Sequence, residues 1–92
     1  MKHQNLQCRN DIDAVVGQRV LIVDSSNGML LRSESTEDQV KTHNQIAYNM
    51  IRPQLIVGHG IVLRVGKQAL VNLTEPTDSY IQRQNALDFF KK

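Results

Sequence analysis

Arg19-Val20-Leu21-Ile22-Val23-Asp24, then Ser25-Ser26-Asn27-Gly28, then Met29-Leu30-Leu31-Arg32 is the stretch on which the fold turns. Two apolar runs flank a polar tetrapeptide ending in Asn-Gly, which tolerates the positive φ angles of a tight turn, so the stretch reads as a β-hairpin. Along the first strand Val20 and Ile22 point one way and Leu21 and Val23 the other. With both faces apolar, that strand belongs in the middle of a sheet covered on both sides, and a second layer is required.

The next segment can supply it. Ser35-Thr36-Glu37-Asp38 offers a hydroxyl for the first free amides and acids for the positive helix end, a variant of the capping box. Placed on a helix, Val40, His43, Ile46, Ala47, Met50 and Ile51 fall within one arc of about 140°, opposite Asp38, Lys41, Thr42, Gln45, Asn49 and Arg52. Pro53 ends this amphipathic helix by biasing Arg52 away from helical geometry.

Three short strands are expected next, Leu55–Val57, Ile61–Val65 and Gln68–Leu73, punctuated by Gly58-His59-Gly60 and by Gly66-Lys67. The last two form a hairpin in which Ile61, Leu63 and Val65 share a face with Ala69, Val71 and Leu73. After Glu75-Pro76, Thr77 or Asp78 caps a final helix that runs to Lys91-Lys92, where cations suit the negative end. Before the first hairpin, Asp11–Val16 makes either one helical turn stopped by Gly17 or the start of a strand. Residues 1–10 are a flexible arm or a peripheral strand.

The expected architecture is therefore α+β: a mainly antiparallel sheet of about five strands in the order β-β-α-β-β-β-α, packed against one amphipathic helix, with a C-terminal helix. A length of 92 residues fits a single domain, 1–92, with one core. An apolar fraction of 40% without Trp makes that core aliphatic. Cys8 stands alone, which excludes an intramolecular disulfide and a thiolate metal cluster and points to a reducing, cytoplasmic setting. No apolar run approaches a membrane span, and none resembles the core of an export signal.

Candidate chemistry is sparse. His43 lies in the centre of the expected apolar helix face, and His59 sits between two glycines. Either could serve an enzyme only with a carboxylate such as Glu75 or Asp24 converging on it. His3, His43 and His59 lack metal-ligand spacing, so no metal or other cofactor is expected. Cys8, with Arg9 beside it, has the residue type of a nucleophile but no rigid support, and a structural role is expected. Asp24–Gly28 lacks the acidic spacing of a calcium loop, and no phosphate-binding, dinucleotide or nucleophile-elbow motif is present.

What remains is a small non-catalytic interaction or regulatory protein. Its last helix carries more apolar residues than one core-facing stripe needs, so Tyr80, Ile81, Leu87, Phe89 and Phe90 form the candidate surface for a protein partner or a second copy. The alternative is a nucleic-acid-binding accessory protein touching phosphates through Arg32, Arg64, Lys67, Arg83, Lys91 and Lys92. A net charge of +2 permits this but falls short of a dedicated binder, and neither Tyr48 nor Tyr80 stands on a strand with a second aromatic nearby to stack bases.

Overall fold

A computed structural model describes the backbone of residues 4–47 and 54–90, with side chains for 4–45 and 54–87. Strands β1 (Gln4–Cys8), β2 (Arg19–Ser25) and β3 (Gly28–Arg32) are followed by a 3₁₀ turn (Glu34–Thr36) and helix α1 (Glu37–Ala47). Strands β4 (Leu55–Arg64) and β5 (Ala69–Pro76) and helix α2 (Asp78–Phe90) complete the chain. The fold is α+β, with one five-stranded antiparallel sheet in the order β1-β5-β4-β2-β3.

The sheet curls until its two edges touch. Arg9 N–H donates to Met29 O, and Leu31 N–H donates to Arg9 O, each at 3.0 Å, which stitches the end of β1 to β3. Curling encloses the concave face, where Leu6, Cys8, Val20, Ile22, Leu31, Val57, Val62, Val71 and Leu73 make the main core with Tyr80 of α2. On the convex face Leu21, Val23 and Leu30 pack under Val40 of α1. The doubly apolar β2 is thus central and covered on both sides. Each fully buried Val or Leu contributes roughly 1.5–3 kcal/mol, so these two clusters dominate stability.

The curl originates in β4, which runs unbroken through Gly58-His59-Gly60 where two strands and a turn are expected from the sequence. These glycines bend a strand instead of ending it. A Cβ on Gly60 would lie 2.5 Å from Asn72 O and 2.8 Å from a Val71 methyl, and one on Gly58 would lie 2.8 Å from Pro76 Cα. Gly58 also takes φ +151°, which side chains disfavour. Register shifts at Ile22/Val23 and His59/Gly60 flank the bend, as bulges do where a sheet turns sharply. One strand is lost by this fusion and another is gained in β1, so the count remains five.

Three further expectations are corrected. Residues 11–16 form neither helix nor strand: Asn10 accepts from Ala14 N–H at 2.8 Å and donates to Ala14 O at 3.2 Å, and Asp13 adopts φ +52°, which interrupts helical geometry. Ser35 does not cap α1; its hydroxyl meets that of Ser33 at 3.0 Å, and the 3₁₀ turn leads into the helix. In β4 it is Val62, paired with Val71, that faces the core, while Ile61 pairs with Asn72 on the outside. Leu63, left unpaired by a register shift between Val62 and Arg64, is exposed, and Val65 lies past the end of β4 in the exposed hairpin loop. Met50, Ile51, Pro53, Lys91 and Lys92 lie outside the described residues, as do the side chains of Ile46, Ala47, Phe89 and Phe90.

Candidate functional site

Helix α2 was the first expected surface, and its opening turns are committed to the fold. Thr77 caps it: the hydroxyl donates to Ile56 O at 2.5 Å and accepts from Tyr80 N–H at 3.3 Å, while Thr77 N–H donates to Val57 O at 2.9 Å. Tyr80 is only 3% exposed and donates its phenol proton to Gln4 Oε1 at 3.0 Å. Burial pushes that phenol above its ordinary range. Tyr80 is therefore a core residue and not a contact for partners. Ile81 is half-buried beside Gln4, Leu73 and Pro76, and Leu87 is exposed.

Among the described residues, the candidate cations Arg32, Arg64, Lys67 and Arg83 do not form one patch. Arg83 pairs with Asp24 at 2.7 Å and lies 5.8 Å from the centroid of the Tyr80 ring, anchoring α2 to the end of β2. Arg64 and Lys67 stand on the β4–β5 hairpin, at the opposite end of a ten-residue strand spanning roughly 33 Å. Arg32 is half-buried on the edge strand β3.

The histidines separate. His43 is exposed on α1, not packed in its apolar face. His59 is half-buried on the convex face, with Nε2 3.9 Å from Glu37 Oε2, beyond hydrogen-bond reach. Glu75 lies across from His59 on β5, yet its carboxylate is held by Arg19, whose Nη1 and Nη2 donate to Oε1 at 2.6 Å and Oε2 at 2.9 Å. Arg19 Nε also donates to Glu34 Oε2 at 2.9 Å. This fork holds the Glu75 carboxyl below the usual range, raises the guanidinium further, and pins the 3₁₀ turn against β2 and β5. Among the described residues no group of three or more His, Cys, Asp and Glu gathers as a metal-ligand set.

Cys8 is fully enclosed, and desolvation pushes its thiol up to about 11. A neutral, inaccessible sulfur is the opposite of an activated nucleophile.

The most unusual surface lies elsewhere. Of the five large hydrophobic residues exposed among the described ones, Val15 (63%) and Val16 (61%) lie just before β2, and Leu63 (43%) and Val65 (44%) lie at the end of β4. Gly17 N–H donates to Val62 O at 2.7 Å and Val62 N–H donates to Gln18 O at 3.0 Å, which sets the 15–18 turn beside β4 as it enters the hairpin. Arg64 and Lys67 flank this apolar group and make no ion pair among the described residues. The sequence pattern puts Leu63 and Val65 on a face shared with Ala69, Val71 and Leu73, and Val15-Val16 in a helical turn or strand. No family model, curated protein or solved structure gives a match to this chain.

Proposed function

We propose that the protein is a small non-catalytic interaction protein that presents the end formed by the 15–18 turn and the β4–β5 hairpin to a protein partner. One observation supports this reading: the turn that follows exposed Val15 and Val16 is hydrogen-bonded to Val62, the residue before exposed Leu63. Isolated exposed aliphatics are ordinary on any surface, whereas a contiguous group rimmed by polar residues marks an interaction site. The group replaces α2 as the leading surface because Tyr80 is spent on the core. A free, buried thiol suits a cytoplasmic setting, and no helix among the described residues is long and apolar enough to cross a membrane. The nucleic-acid reading is weakened by the Arg83–Asp24 pair, which withdraws one cation and leaves Arg64 and Lys67 as an isolated pair on the hairpin.

Site-specific photo-crosslinking in the native cell tests the proposal. A photoreactive residue at position 65 is expected to give a discrete adduct that one at position 27, in the turn at the other end of β2, does not. An adduct of twice the chain mass would identify self-association. No adduct from position 65, or the same adducts from both positions, overturns the proposal.

A further inference from the structure

We infer that the partner enters this end as an extended acidic peptide segment, seated in the cleft between β1 and the β4–β5 hairpin; the inference rests on the docking reading above. The cleft has a volume of about 670 Å³ and is lined by Gln7, Arg64, Val65, Gly66, Lys67 and Gln68. All six residues are exposed, so it is an open groove on the surface and not an enclosed pocket.

Its chemistry is complementary to such a peptide. Arg9, Arg19, Lys41 and Arg83 each face a carboxylate of their own chain, whereas Arg64 and Lys67 do not among the described residues. From Ile61 to Leu73 the chain carries these two cations and no acid, so a partner's carboxylates meet attraction without local competition. Gln7 and Gln68 carry amides that both donate and accept, which is what a peptide backbone needs on its two sides. At Gly66 an added Cβ would approach nothing closer than Gln68 O at 3.8 Å, so the hairpin backbone is open to a neighbouring chain. Val65, exposed in the lining, then receives an apolar side chain from those that alternate with acidic ones along an extended segment.

Two other classes of partner fit less well. A bilayer surface is flat and leaves a cleft unfilled, and this end carries no aromatic residue of the kind that anchors at an interface. Single-stranded nucleic acid needs a stacking platform, and no aromatic residue lines the cleft.

The test titrates ¹⁵N-labelled protein with an octapeptide of alternating Val and Glu, with its Val-Gln and Ser-Glu counterparts, with phosphatidylserine-containing vesicles, and with oligo-dT. The Val-Glu peptide is expected to shift the amides of Gln7, Gly66, Lys67 and Gln68 saturably. Binding is expected to weaken roughly tenfold in the Val-Gln peptide and in the R64E/K67E variant, whose substitutions fall on exposed side chains. Equal binding of Val-Gln, shifts confined to another surface, preference for vesicles or oligonucleotide, or no response to any probe each overturns the inference. A crosslink specific to position 65, combined with indifference to acidic peptides, would leave the docking surface standing and remove only the acidic peptide.

Discussion

Cys8 and Gly60 carry little chemistry, yet each makes a demand on its surroundings that can be measured. The Cys8 thiol rises from about 9 to about 11 because burial disfavours the thiolate. Since the folded-state value lies above the unfolded one, the contribution of the neutral thiol is whole below about pH 9 and is lost as pH climbs to about 11, at most about 3 kcal/mol. Urea midpoints should therefore fall between pH 8.5 and 11, and Cys8→Ala should flatten that fall. Native protein should also resist a thiol reagent until denatured. Gly60 illustrates steric demand: Gly60→Ala drives a methyl into the β5 backbone and should cost roughly 2 kcal/mol or more. Gly66→Ala, in open space, should stay within roughly 0.5 kcal/mol, and thermal denaturation of the pair checks the contrast.

Among the elements, α2 depends most on a single side chain. Thr77 both caps the helix and bonds it to β4, so Thr77→Ala should cost about 1–2 kcal/mol and Thr77→Ser should recover most of it, read from denaturation curves. How far each element could be read from the chain follows from where its determinants lie. The β2–β3 hairpin was legible because its turn and both of its apolar faces are local, although Gly28 at φ +97°, and not Asn27, adopts the positive angle. Strand β4 was read as two pieces because glycine normally punctuates; only the nearness of β5, unknown to a local pattern, makes Gly58 and Gly60 interior residues. The facing of Ile61–Val65 was ambiguous since four of its five residues are apolar and either parity satisfies a strand. The sequence admits β1 as an arm or a strand because its pairing partners, Ala69 to Leu73, are the most distant in the sheet. At the candidate site, Arg64 and Lys67 were legible as charges. Their separation from Arg83, and the company of Val15 and Val16, came only with the fold.

At the scale of the whole molecule, the seam between β1 and β3 turns an open sheet into a curled one. Arg9→Pro removes the N–H that donates to Met29 O and should destabilise by about 1–3 kcal/mol, with faster amide exchange at Leu31. Arg9→Ala keeps that N–H, loses only an exposed ion pair with Asp11, and should be nearly silent. The same register that places β1 beside β5 also sets a timetable. On the ribosome Leu6 and Cys8 emerge early, but the strand that will cover them includes Val71 and Ala69 and is made much later. Until β5 is made the chain must therefore hold β1 unpaired on that side, and the seam with β3, which emerges sooner, is the earliest native contact able to shelter it.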